Sequence, residues 1–140
     1  MEQPQSDAEN SETRWSGFAE TDLTRRIIGC FYRVHSTLGF GFLESVYVRA
    51  LAVALARSGI AVELEAPIDV FYEGTKVGHF RVDMLVARRV IAEVKASTKL
   101  AEADHKQLLN YLKACPVEVG LLLHFGPKAQ VHRLVHSKRR

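Results

Sequence analysis

Asp83, Glu93 and Lys95 are the residues of this 140-residue chain best placed by type and spacing to do chemistry. Glu93 and Lys95 interrupt the apolar run Val90-Ile91-Ala92-Glu93-Val94-Lys95-Ala96. Being two apart, they project from the same face of an extended strand. Asp83 sits in the preceding apolar segment, which pairs with the first as a hairpin broken at Arg88-Arg89, so it lies opposite or near them. Two carboxylates and an ammonium then converge on one patch of a sheet. Burying such charges is costly unless they pair or bind a metal. Two oxygen donors are what a hard divalent cation such as Mg²⁺ asks for, and a neighbouring lysine can orient a water attacking phosphorus. The same pattern also fits an amphipathic strand with a solvated face, where Glu93 and Lys95 form a surface pair worth about 0–1 kcal/mol.

The elements that must position these groups follow from the hydrophobic period. Leu23, Ile27, Phe31, Val34 and Leu38 recur at helical spacing after a cap at Thr21 or Asp22, and stop at Gly39-Phe40-Gly41. Leu43, Val46, Tyr47, Ala50, Leu51, Ala54 and Leu55 form a second helical stripe closed by Gly59. The period then changes to two, with Val62, Leu64 and Ala66 as one strand, Pro67 as an interruption, and Ile68, Val70 and Tyr72 as an extended continuation. After a turn at Glu73–Lys76, the residues Phe80, Val82, Met84 and Val86 are expected on one face. A third helix runs over about 101–114, and strands 117–125 and 129–135 follow, joined by Gly126-Pro127. The order α-α-β-β-β-β-α-β-β describes an α/β fold, a mixed central sheet flanked by helices.

Composition narrows the function classes. The chain is 47% hydrophobic and 25% charged, which excludes collagen-like and wholly disordered proteins. The longest stretch without Lys, Arg, Asp or Glu, Val34 to Leu43, is too short for a membrane span, and the N-terminus has no apolar core of a signal peptide. Two cysteines, Cys30 and Cys115, make no disulfide framework, so the cytoplasm is the expected location. Residues 1–22 hold six acids and one base, net −5, and the remainder of a chain of total charge +3 therefore carries +8. That body suits a phosphate-bearing partner. Residues 1–20 read as a flexible acidic arm with Trp15 and Phe18 as possible anchors, residues 21–136 as the folded domain, and residues 137–140 as a basic tail. None of the six histidines has zinc-ligand spacing on a helix.

Asp83 followed by Glu93-Val94-Lys95 resembles the PD-(D/E)XK nuclease signature, and Gly41-Phe42-Leu43-Glu44-Ser45-Val46-Tyr47 resembles the name-giving motif of the GxxExxY protein family within it. The resemblance covers about Leu23 to Arg133 and includes Gln107-Leu108-Leu109-Asn110-Tyr111. Val82 stands where the superfamily pattern is named for proline, a degenerate position. The resemblance implies a restriction-endonuclease-like core and a metal-dependent nuclease that hydrolyses phosphodiester bonds in nucleic acid, DNA first. It implies Asp83, Glu93, Glu44 and the Val94 carbonyl as holders of Mg²⁺ or Mn²⁺. Lys95 becomes the residue that positions the nucleophile, and Gln107 with Tyr111 the pair that orients Lys95 or touches substrate. Tyr47, three residues after Glu44, reads as core. A small domain that cuts both strands needs two sites, which a homo-oligomer supplies through the apolar first helix or the sheet edges. The other reading is a non-catalytic nuclease-fold protein acting as a self-assembling structural or binding module.

Overall fold

The computed structural model describes residues 20–138. Its elements are α1 (Thr21–Leu38), α2 (Glu44–Arg57), β1 (Val62–Tyr72), β2 (Thr75–Val86), β3 (Val90–Lys95), α3 (Glu102–Lys113), β4 (Val119–Phe125) and β5 (Ala129–Val135). The strands form one sheet in the order β1-β2-β3-β4-β5. The β3–β4 pair is parallel and every other neighbouring pair antiparallel. α3 is the crossover that a parallel pair requires. The expected α/β architecture is the observed one. Where two strand pieces were expected around Pro67, one continuous strand runs through it, with Pro67 opposite Arg81. β1 is an edge, the position in a sheet where a residue without an N–H is tolerated.

Helices cover both faces. α1 and α2 bury Ile27, Phe31, Tyr47, Leu51 and Leu55 against Met84, Val90, Ala92, Leu121 and Leu123 on one side. On the other side α3 packs Leu108 and Leu112 over Ile91, Leu122, Ala66 and Val82. β4 is buried along its whole length, as a central strand covered on both faces must be. Gly120 lets α3 close on it, because a Cβ there would stand 2.9 Å from a Leu108 methyl.

Two expectations about surfaces and faces are corrected. The apolar stripe of α1 is buried in the core, so this helix does not offer the subunit interface foreseen for it. Phe80, Val82, Met84 and Val86 do not share a face: Phe80 and Val82 pack on the α3 side, Met84 and Val86 on the α1–α2 side. The break falls between Leu64↔Met84 and Ala66↔Val82, where the Glu65–Asp83 rung is missing and Glu65 takes a left-handed backbone, φ 51°. The cap of α1 is Glu20 rather than Thr21 or Asp22, and its carboxylate pairs with Arg89 at 3.4 Å. The rest of the expected acidic arm, with Trp15 and Phe18, lies outside the described residues. Of the basic tail, Lys138 is tied to the body through its backbone N–H, which donates to Glu118 Oε2 at 2.9 Å.

Candidate active site

The β2–β3 hairpin turns at Ala87-Arg88, both with positive φ, and is closed by the Arg89 N–H donating to the Val86 carbonyl. Its ladder has three rungs, the last being Met84↔Ala92. Beyond that rung the strands part, and two side chains replace the backbone bonds. The Asp83 N–H donates to Glu93 Oε2 at 2.7 Å, and the Val94 N–H donates to Asp83 Oδ2 at 2.8 Å. The two carboxylates are thereby held side by side, each with one oxygen committed to the backbone and one left for another ligand. The convergence expected of Asp83 and Glu93 is met by this exchange.

Glu93 is 4% exposed. Burial, reinforced by the charge of Asp83, pushes its carboxyl up to about 7, against the opposing pull of the Asp83 amide and Lys95. Asp83 is also raised by burial, with the Val94 amide and Lys95 pulling down and Glu65 adding a like charge. Carboxyls raised in this way cluster at functional sites. A divalent cation between the two uncommitted oxygens would relieve it. Among the described residues no three His, Cys, Asp or Glu side chains gather closely enough to enclose an ion by themselves. The two carboxylates of Asp83 and Glu93 are an oxygen-donor set that suits a hard divalent cation completing its shell with water and substrate phosphate.

Lys95 lies on the α3 side of β3. Its Nζ donates to Gln107 Oε1 at 3.2 Å and stands 3.8 Å from Asp104 Oδ1. Asp104 is a site residue that the sequence reading took only as a first-turn acid, although its place one helical turn before Gln107 puts both on one face. Its other oxygen accepts the Ala101 N–H at 2.9 Å and so caps α3. Tyr111 is 7% exposed, and its hydroxyl is raised by burial and then by the charges of Glu93 and Asp83, which places it beside the carboxylates. Gln107 thus holds the lysine, while Tyr111 lies within electrostatic reach of both carboxylates.

Glu44 begins α2 and shares a cleft of about 370 Å³ with Ser45, Arg49, Glu65 and Asp83. The structure brings it into the same electrostatic field as Glu93, without a hydrogen bond between them. Tyr47 is fully buried, as expected, and stacks on Phe125 at 4.3 Å. Its hydroxyl donates to the Gly39 carbonyl and accepts the Phe42 N–H at 3.2 Å, pinning the loop that delivers Glu44. Glu65 was missed by the sequence reading, since no local pattern announces a left-handed residue inside a strand. His124, 2% exposed and aligned with Lys95 across the β3–β4 pair, bonds the Ser97 carbonyl at 2.6 Å and fixes the chain after the site.

A family model of the PD-(D/E)XK nuclease superfamily matches residues 21–134. The chain belongs to that superfamily. PD-(D/E)XK nucleases generally use divalent metals. Among solved structures this PD-(D/E)XK chain is similar to SSO0001, at 18% identity and a TM-score of 0.53, over 91% of this chain and 63% of that one. The likeness is one of fold. No curated protein matches the chain. Among the described residues of this PD-(D/E)XK domain, no helix is long and apolar enough to cross a membrane.

Proposed function

We propose that the protein is a metal-dependent nuclease that hydrolyses phosphodiester bonds in nucleic acid, DNA first, in the cytoplasm. The observation that carries this reading is the reciprocal exchange between Asp83 and Glu93, which ends the ladder and leaves two adjacent carboxylate oxygens. Asp83, Glu93 and the Val94 carbonyl would hold Mg²⁺ or Mn²⁺, with Glu44 adding negative charge from across the cleft. A divalent ion there supplies Lewis acidity toward phosphate and lowers the pKa of its water. Lys95, steadied by Gln107 and Asp104, positions the attacking water and offers positive charge where the phosphoryl oxygens become more negative. Tyr111 keeps bulk water from the buried side of the carboxylates. The Gly41–Tyr47 motif supports placing the chain with the GxxExxY proteins inside the superfamily, and the two sites that cutting both strands of a duplex would require would come from a homodimer.

The test is cleavage of single-stranded, duplex and branched DNA with Mg²⁺ or Mn²⁺. Wild type is expected to cut in a metal-dependent manner, and Asp83→Asn and Lys95→Ala to lose at least about a hundredfold in rate. Equal activity in all three proteins would remove both residues from the mechanism. A protein that cuts nothing, ignores metal and forms large regular particles would be the non-catalytic assembly module.

A further inference from the structure

Two cavities adjoin where β2 turns into β3, at the end of the sheet away from the carboxylates. One, of about 200 Å³, is lined by Ala66, Ile68, Val82, Leu85, Ile91 and Cys115, with Arg88 as its charged wall among the described residues. The other, of about 280 Å³, is lined by Glu20, Arg89 and Glu118. Arg88, Pro116 and Val117 line both, so a wall one side chain thick divides them. The described chain begins in the second cavity, where Arg89 holds the Glu20 carboxylate at 3.4 Å. Whatever precedes Glu20 must therefore leave from this groove. Glu118 is already engaged, accepting the Lys138 N–H at 2.9 Å, whereas no carboxylate among the described residues pairs with Arg88. An apolar cavity of about 150 Å³ is enough for a benzene ring, so the first cavity has room for one aromatic side chain. A guanidinium at its wall favours an indole over other rings. Residues 1–19 hold four acids and one base, net −3, and two large aromatic groups, Trp15 and Phe18. Trp15, five residues before Glu20, has a reach of up to about 17 Å, which carries it past the shared wall.

We propose that the segment before Glu20 turns back along this groove and seats Trp15 in the apolar cavity against Arg88. It acts as an intramolecular strap that ties the β2–β3 turn to the connection between α3 and β4. Trp15 is the only tryptophan of the chain, so its emission reports its own surroundings. In the full chain that emission is expected to be blue-shifted, shielded from acrylamide and independent of protein concentration. It is expected to become solvent-like in Cys115→Phe, where a ring grown from the wall takes the space, with the fold checked by circular dichroism. Cys115 gives a second reading that leaves the wall intact. Cys30 is 1% exposed and Cys115 only half-buried, so dithionitrobenzoate reads the Cys115 thiol. Trp15→Ala is expected to raise its rate of reaction about tenfold, and Trp15→Phe to restore most of the protection.

Solvent-like emission from the wild-type chain overturns the strap, and so does equal thiol reactivity in wild type and Trp15→Ala. Emission that turns solvent-like on dilution would place Trp15 on a second copy of the chain. Blue emission that persists in a folded Cys115→Phe would place it elsewhere on the same copy. Either result sinks the proposal. None of these outcomes bears on cleavage, because the strap stands apart from the nuclease reading.

Discussion

Glu93 is where the electrostatics of the site are most exposed to measurement. Its carboxyl is raised to about 7 from an ordinary 4.5, with burial the first cause and Asp83 the second. Between those two values the folded chain keeps a proton that the unfolded chain has lost. In the presence of chelator, this group therefore makes stability fall as pH rises from about 4.5 to about 7, and Asp83, raised too, acts in the same direction. Glu93→Gln keeps an oxygen for the Asp83 N–H and removes the charge. Its melting temperature is expected to exceed that of wild type at pH 8 and to match it near pH 4.5, as read by thermal unfolding. An equal difference at both pH values would mean that Glu93 is not held against its ionisation. Lys95, Gln107 and Asp104 form the complementary half: an ammonium fixed by an amide and a carboxylate on one helix turn.

At the scale of the element, the decisive feature is the missing rung between β1 and β2. A left-handed backbone costs a non-glycine residue about 1–2 kcal/mol, and more for a β-branched one. Glu65→Val is expected to lower stability by about 2 kcal/mol in urea unfolding, and Glu65→Gly to leave it equal or higher. If Val is tolerated like Gly, the strand does not need this backbone turn to carry Asp83 away from Met84. This is also the place where the sequence misled. Alternation over Phe80–Val86 puts four residues on one face, and nothing in Leu64-Glu65-Ala66 announces the reversal, because the cause is a missing rung between Glu65 and Asp83, 18 residues apart in the chain. Elsewhere local pattern and fold agree. Helix periods, the hairpin at Arg88-Arg89 and the terminators Gly59 and Pro116 are all legible because each is decided by neighbours in sequence. The pair of Asp83 and Glu93 was legible for the same reason, being two sides of one hairpin. Asp104 and Glu65 were not, since their place beside Lys95 and Asp83 depends on how separate segments dock.

The whole molecule is one sheet with a helical layer on each face, and the candidate site opens where β2 and β3 part. Among the described residues such a domain carries one candidate active site and little separate surface for gripping a substrate. A dimer would present two clefts, and with the stripe of α1 buried, the exposed sheet edges are where a second copy can pair. Light scattering is expected to give twice the mass of the chain, and a strict monomer would leave it able to nick only one strand at a time. The nuclease reading depends on a divalent ion being able to bind between Asp83 and Glu93. The most direct test is thermal unfolding with increasing Mn²⁺ at pH 8, on wild type and on Asp83→Asn. Linkage predicts a rise of several degrees in wild type at about ten times the dissociation constant, and none in the variant. A wild-type melting temperature indifferent to Mn²⁺, or a rise of equal size in Asp83→Asn, would contradict the account.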